Sequence, residues 1–443
     1  MSEYSSLKKK FEKKQATIGV VGLGYVGLPL AVTFAEAGFK VCGVDISVQI
    51  IGSLNKGFSH VGDVEDQKLL DFTKDGSVNR ICFTTDYSVL QSCDSIVICV
   101  PTPLSKTGNP DMRFVRDAAV NISSNMSAGT LIVLESTVYP GATQEMFLPL
   151  IEERSEDRFV IGENVFLAFS PERIDPGRND WTLRTTPKVI GGITSRCTDL
   201  AAELYGATVN TVVPVSSTGS AEMVKLLENT FRATNIALAN ELAIMCDRLN
   251  IDVWEVIDAA STKPFGFMPF YPGPGIGGHC IPVDPQYLSW KMKQLDYDAR
   301  FISLADEINS SMPSFLLEKS QKVLFDKGKT LGSSKIIILG VTYKADVADI
   351  RQTPALDIIE LLIEEGAEVL YNDPYIQELE VPGRHQLQSL DLTPENLGQI
   401  DVAVIVSDHS SYDFEYISTC VGLIVDSRNA TEGLTLSCDV VKI

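Results

Sequence analysis

Gly22-Leu23-Gly24-Tyr25-Val26-Gly27 stands between a short apolar run, Ala16 to Val21, and a segment of helical pattern. A strand, a turn of three glycines and a helix in that order suit a dinucleotide. Gly22 permits the tight turn, Gly24 lets the main chain approach a pyrophosphate, and Gly27 lets the helix pack on the strand. The helix N-terminus then attracts the phosphates. The spacing alone is a weak signal, because glycines also serve ordinary turns, but the context on both sides is right. A second apolar run, Lys40 to Val44, ends at Asp45. A carboxylate there accepts ribose hydroxyls and repels the extra phosphate of NADP. The expected cofactor is therefore NAD, held by Gly22, Gly24, Tyr25, Val26, Gly27 and Asp45.

Working outward, Ser95 to Val100, Thr130 to Leu134, Val165 to Phe169 and Lys188 to Ile190 read as further buried strands, and Asp111 to Met126 as a crossover helix. This alternation predicts a doubly wound α/β domain. From Ala221 to Leu249 there is helical periodicity without Pro or Gly. Beyond Arg232 that segment is apolar nearly all round, which predicts a helix buried between layers. Thr262 to Pro285 is rich in Gly and Pro, and a loop of this length is usually functional. Strands then return at Lys335 to Leu339, Glu368 to Tyr371, Val402 to Val406 and Leu423 to Val425, with a helix from Pro354. The expected fold class is α/β: two Rossmann-like doubly wound domains joined by a long central helix. The expected boundaries are a charged tail over 1–15, a cofactor domain over 16–215, a central helical region over 216–331 and a second α/β domain over 332–443.

The bulk properties narrow the function. The chain has 443 residues, 44% of them hydrophobic and 21% charged, as expected of a globular protein with two or three cores. Its net charge of −21 repels nucleic acid over most of the surface. The lysine-rich start lacks the apolar segment of a signal peptide. No apolar run reaches membrane-span length. A cytoplasmic protein with neither a nucleic-acid nor a membrane partner is expected. Nine cysteines are scattered without paired spacing, so neither a metal site nor a disulfide framework is expected.

Among those cysteines Cys280 stands apart. It ends Gly275-Ile276-Gly277-Gly278-His279-Cys280, where glycines let main chain lie against a ligand. Most cysteines are structural, but apolar packing does not explain one in this setting. A thiolate there can attack an aldehyde, and the adduct can be oxidised to a thioester. Asp284 precedes Pro285, an ordinary start for a helix, and such a cap also places a carboxylate rigidly near Cys280. His279 is a candidate base, although adjacent residues often point apart. Lys225 and Asn229 are spaced i,i+4 on one stripe of the long helix. A lysine at the edge of a buried region can stabilise an oxyanion, and Asn229 can hold a water. Glu172 follows a predicted strand end, where α/β sheets bind ligands. It reads equally as a site carboxylate or a surface acid.

These residues resemble the UDP-glucose/GDP-mannose dehydrogenases from about Thr17 to Asn429. The pieces carrying the resemblance occur in order: the glycine motif with Asp45, Val100-Pro101-Thr102-Pro103, Ser136-Thr137-Val138, Ser170-Pro171-Glu172, Lys225 with Asn229, Gly277 to Cys280 with Asp284, and Lys344 with Asp349 and Arg351. The resemblance implies a four-electron oxidation of a sugar alcohol to a carboxylate, with two NAD consumed and a thioester on Cys280. It implies that Lys225, Asn229 and Asp284 steady oxyanions and water and that Glu172 assists proton transfer. Thr137 would lie near the nicotinamide or a water, and Thr102 and Arg351 would join the cofactor residues. The second α/β domain would hold the uridine diphosphate, with Lys344 and Arg351 at the domain cleft. Glu172, Arg173, Lys225, Phe270, Tyr271, Gly273, Gly277 and Lys344 would contact a UDP-sugar. The long helix would form the core of a homodimer or a higher homo-oligomer.

Two departures are informative. Family members acting on UDP-glucose usually carry a second glutamate where this chain has Pro176, and other residues at His279 and Val283. The run Gly277 to Pro285 is similar to the branch acting on UDP-N-acetylhexosamines. Within that branch, Ser170 to Gly177 and Phe265 to Gly273 most resemble members acting on UDP-N-acetylglucosamine, the mannosamine and galactosamine epimers remaining open. Two rival functions are a single-step β-hydroxyacid dehydrogenase, which needs no cysteine, and a non-catalytic nucleotide-sugar sensor, which has no use for Lys225 or Cys280.

Overall fold

The computed structural model describes residues 2–73, 81–105, 107–155, 158–173, 181–383 and 386–443. Pro176 and Gly177 lie outside them. The chain divides into two compact units, Met1–Glu228 with Gln286–Asp296, and Asn229–Pro285 with Tyr297–Ile443.

In the first unit the apolar runs form β1 (Thr17–Val21), β2 (Lys40–Val44), β3 (Ile81–Thr84), β4 (Ser95–Ile98), β5 (Thr130–Leu134), β6 (Val165–Phe169), β7 (Lys188–Gly192) and β8 (Val212–Val215). They make one sheet in the order β3-β2-β1-β4-β5-β6-β7-β8. The pairing is parallel throughout except between β6 and β7. Strands β4, β5, β6 and β7 are buried along their whole length, as expected of a sheet covered on both faces. The first six strands follow the doubly wound order, which opens a ligand crevice where the order reverses, between β1 and β4.

One stretch departs from expectation. The first fifteen residues were expected to be a charged tail, but Glu3–Glu12 forms helix α1, with Leu7 and Phe11 buried. Tyr4, Leu7 and Phe11 recur at helical spacing among the lysines, and the sequence reading overlooked that stripe. The Tyr4 hydroxyl and the Lys8 ammonium both bond Asp199, pinning the helix to the first core. Helices α2 (Gly27–Glu36), α3 (Val48–Leu54), α4 (Asp66–Thr73), α5 (Arg113–Asn125), α6 (Leu148–Ser155) and α7 (Ser195–Gly206) complete this unit, with the start of the next helix.

That helix, α8, spans Thr218–Leu249. It begins in the first unit and continues into the second. The expectation that it is buried on every face fails for this chain. Ala233, Ala237, Ala239, Ala243 and Cys246 are buried, but Leu238 is 54% and Leu249 67% exposed. The small residues mark the face that packs within the chain, while Leu238, Met245 and Leu249 remain bare.

The second unit continues with α9 (Val253–Ser261), the irregular stretch expected between Thr262 and Pro285, and the first two residues of α10 (Asp284–Lys293). The remainder of α10 belongs to the first unit. Helix α11 (Arg300–Asp326) leads to β9 (Lys335–Leu339), α12 (Pro354–Glu364), β10 (Glu368–Asn372), the small ribbon β11 (Glu378–Leu379) and β12 (Leu387–Gln388), α13 (Pro394–Leu397), β13 (Val402–Ile405), α14 (Phe414–Cys420), β14 (Leu423–Asp426) and β15 (Asp439–Lys442). Its main sheet is wholly parallel, in the order β10-β9-β13-β14-β15. This is a second doubly wound arrangement, with its reversal between β9 and β13.

Candidate active site

The glycine loop after β1 is built for a phosphate. Gly22 has φ +89°, and a Cβ there would meet the Cys99 carbonyl oxygen at 2.6 Å. A Cβ at Gly27 would lie 1.8 Å from the Gly22 carbonyl oxygen, so both ends of the turn admit only glycine. A Cβ at Gly24 would meet nothing within 4 Å. Its lack of a side chain therefore leaves space outside the fold, where a pyrophosphate would approach. Asp45 accepts the Leu23 N–H at 2.8 Å on one oxygen and the Ser47 N–H at 2.9 Å on the other. It stays half-buried at the strand end with lone pairs to spare. Tyr25 is exposed on the same turn. These residues fit NAD.

The C-terminal ends of β4, β5 and β6 carry the other expected residues of this unit. The Thr102 carbonyl accepts the Tyr287 hydroxyl at 2.9 Å. Lys225, buried on α8, donates to the Thr137 hydroxyl at 2.6 Å. Glu172 is also buried, so its reading as a surface acid falls. One of its oxygens accepts the Arg173 N–H at 2.8 Å, and the other faces the Lys188 ammonium at 3.3 Å. Lys188 also donates to Glu135 at 2.8 Å, and Glu135 accepts the Tyr205 hydroxyl. Burial pushes the Glu135 carboxyl above its ordinary range, against the pull of the Lys188 charge. Burial opposes the charge on Lys188 too, but Glu135 and Glu172 outweigh it and hold the ammonium above the usual lysine range. Arg173 grips Glu228 on α8 at 2.6 Å and the Pro187 carbonyl at 2.7 Å.

In the second unit Asn229, on α8, donates to Asp284 at 2.6 Å. The Asp284 side chain is buried, and its N–H donates to the Cys280 carbonyl at 2.9 Å. Cys280 thus sits at the mouth of α10 with its side chain exposed. All nine cysteines are thiols. The neighbouring glycines are also required by packing. A Cβ at Gly277 would lie 2.6 Å from the Gln352 carbonyl, and one at Gly278, where φ is +82°, would lie 2.8 Å from the Tyr343 ring. Both are bare so that the cysteine loop can lie flush on the loop after β9, where the Gly278 N–H donates to the Arg351 carbonyl at 2.9 Å.

Arg351 forks onto Asp349 with bonds of 2.6 to 3.0 Å. Lys344 lies on the same loop, and its carbonyl accepts the Thr342 hydroxyl. Upstream, the Gly273 N–H donates to Asn240 at 2.9 Å. Asn240 donates to Asn309, which donates to the Ala233 carbonyl. Phe270 packs edge-on against Phe231, and Tyr271 stacks on Trp254 with its hydroxyl on Asp258. Sequence reasoning missed the buried Glu135, Lys188 and Asn240. A signal for Glu135 existed, since an acid directly after the four apolar residues that end β5 is unusual.

Three consecutive stretches match models of one family: residues 16–209 its NAD binding domain, 219–311 its central domain and 337–433 its UDP binding domain. The UDP-N-acetyl-D-mannosamine dehydrogenase of Escherichia coli K12 is 36% identical over 90% of this chain and 94% of its own. The chain belongs to the UDP-glucose/GDP-mannose dehydrogenase family. Like the family, it is an NAD-dependent UDP-sugar dehydrogenase. Another member, the UDP-N-acetyl-D-glucosamine 6-dehydrogenase of Pseudomonas aeruginosa, is 34% identical over 90% of this chain and 92% of its own. The solved UDP-D-ManNAc dehydrogenase of Pyrococcus horikoshii superimposes with a TM-score of 0.86, at 32% identity, over 96% of this chain and 99% of that one. Among the described residues no helix is long and apolar enough to cross a membrane.

Proposed function

We propose that this dehydrogenase oxidises the C6 alcohol of a UDP-N-acetylhexosamine, UDP-N-acetylglucosamine first, to the uronate through a thioester on Cys280. The observation that carries the reading is the Asn229–Asp284–Cys280 arrangement at the mouth of α10. Gly22 to Gly27 and Asp45 would hold NAD, and two molecules bound in turn would each supply the acceptor for one hydride from C6. The remaining work falls to the side chains. The Cys280 thiolate adds to C6 at the aldehyde stage, and water later cuts the thioester, returning the thiol and releasing the carboxylate. Developing negative charge is favoured at a helix N-terminus, which is where Cys280 sits. Lys225 and Asn229 are spaced i,i+4 along α8. An ammonium and an amide on one stripe suit an oxyanion and an ordered water. Thr137 fixes the Lys225 ammonium, and Glu172 receives the proton of the attacking water.

The loop residues Arg173, Phe270, Tyr271, Gly273 and Gly277, with Lys344 and Arg351, are assigned to the uridine diphosphate and sugar. The bare apolar residues of α8, Leu238 and Leu249 among them, are assigned to a second copy of the chain. Light scattering that finds only monomer would remove that assignment. A second substrate reading, UDP-N-acetylmannosamine, is favoured by the names of several similar relatives. The test is turnover with a panel of UDP-sugars, counting NADH per uronate. Two per product are expected, with the highest kcat/KM on UDP-N-acetylglucosamine. One per product would overturn the four-electron reading, and a higher kcat/KM on the mannosamine epimer would transfer the substrate.

A further inference from the structure

The first unit holds two buried charged groups, Lys188 and Glu135, that the proposed chemistry leaves without a task. Lys188 is 4% exposed and begins β7. Because β7 runs antiparallel to β6, its start lies at the C-terminal end of β6, with the ligand-facing loops. The register pairs Ala168 with Gly192 and Phe169 with Gly191. Continued at the same count, it brings Glu172 opposite Lys188. The ammonium there spans two carboxylates, Glu135 at the end of β5 and Glu172 beyond β6. Among the groups that bear on Glu172 are Glu135, Lys188, Arg173, the Tyr205 hydroxyl on α7 and the buried Cys99 thiol beyond β4, with Lys225 of α8 also near that thiol. A buried ion pair is weak evidence for stability, since apolar packing of the same volume often serves as well. Two acids on one buried base at the ligand edge of a sheet are better explained by chemistry.

We infer that Lys188 is a positioning residue for the proposed reaction, holding the Glu172 carboxylate in place and in its charged form, with Glu135 as the counterweight that sets how strongly. The inference rests on the reading of Glu172 as the group that receives the water proton. With Lys188 removed, Glu172 keeps a buried carboxylate neighbour and loses its cation, so it takes up a proton at higher pH. With the Glu135 charge removed, Lys188 serves Glu172 alone, and the proton is taken up at lower pH.

The test uses the full-length enzyme with NAD and UDP-N-acetylglucosamine, following kcat against pH. Lys188→Met should lower kcat by about a hundredfold, the scale of lost acid–base assistance, with the KM for the sugar nucleotide little changed. Its acid limb should move up by about one pH unit or more. Lys188→Arg should restore the limb and part of the rate. Glu135→Gln keeps the hydrogen bonds of the cluster and should move the limb the other way, so the inference stays testable if Lys188→Met fails to fold. A Glu135→Gln limb that stays at the wild-type position, or a Lys188→Met limb no higher than wild type, would overturn it. Glu172→Gln separates the two layers. If Glu172→Gln has lost turnover while the Lys188 and Glu135 variants leave the limb fixed, only this inference falls. If Glu172→Gln keeps wild-type turnover, the reading of Glu172 falls with it.

Discussion

The two α/β units start alike and end differently. Each has a glycine directly after its first strand: Gly22 after β1 and Gly340 after β9. Each has positive φ, no room for a Cβ, and an N–H given to the end of the neighbouring strand. In each, an aspartate beyond that neighbouring strand accepts the next N–H of the loop: Asp45 from Leu23 at 2.8 Å, Asp373 from Val341 at 2.7 Å. Counted from those glycines, Gly24 corresponds to Thr342. Gly24 is open, whereas Thr342 is fully buried, with its hydroxyl on the Lys344 carbonyl and 3.3 Å from His409. Asp45 remains half-exposed for a ribose. Asp373 is fully buried and bonds His409 Nε2 at 3.0 Å. The Asp346 N–H donates to His409 Nδ1 at 2.9 Å, which leaves the proton on Nε2 to be donated to Asp373. One backbone plan has thus been left open in the first unit and filled in the second. A nucleotide in the second unit cannot be held by the equivalent aspartate, in accord with the assignment of Lys344 and Arg351 to that end.

This contrast can be broken by substitution. The largest expected effect is Asp373→Ala, which strips the acceptor from His409, Val341 and Tyr375 in a closed interior. A loss of about 3 kcal/mol is expected, the scale of a broken buried charged partner, read as lost hydrogen-exchange protection in β9 and β13. Loss of protection equal to that of Asp45→Ala would erase the distinction. Next is Asp45→Ala itself, which should keep the fold but raise the KM for NAD by about tenfold or more, as loss of a charged hydrogen bond implies. It should also improve the use of NADP. Unchanged NAD preference would remove Asp45 from the cofactor site. Smaller still is an effect of pH. Burial alone would raise Asp373, but the His409 and backbone bonds hold it below the usual carboxylate range. Its contribution to stability is complete above the ordinary value of about 4 and is lost as the pH falls through the lower folded value. Glu222, buried against the Gly141 and Thr143 N–H groups, is raised by its burial. The folded chain therefore takes up that proton first, and acidification through this range adds stability. On acidification the Val341 amide should lose exchange protection before those of Gly141 and Thr143. The reverse order would contradict the contrast.

Both units could be read from the sequence because parallel strands buried on two faces appear as unbroken apolar runs. Lys40–Val44, Thr130–Leu134, Val165–Phe169 and Lys335–Leu339 are strands at the expected bounds. Helix α1 was hidden because its three inward residues are scattered among lysines. The open face of α8 was hidden because periodicity states which faces are apolar and not what covers them. Asp45 and Cys280 stood out because each lies in a motif read from adjacent residues. Lys188 and Glu135 meet across 53 residues, and only the strand order and the antiparallel turn of β7 bring them together. The glycines before Cys280 were legible as bare backbone, but their neighbour, the Tyr343 ring, lies more than sixty residues away.

The most direct measurement of the central claim is intact-mass spectrometry of Cys280→Ser incubated with UDP-N-acetylglucosamine and NAD, alongside its turnover. A serine oxygen is a far poorer nucleophile than a thiolate, and an oxygen ester yields slowly to water. Covalent catalysis predicts turnover reduced by about a thousandfold or more, with any sugar nucleotide that does react retained on the protein as an added mass. Release of uronate at the wild-type rate, from protein of unchanged mass, would contradict it.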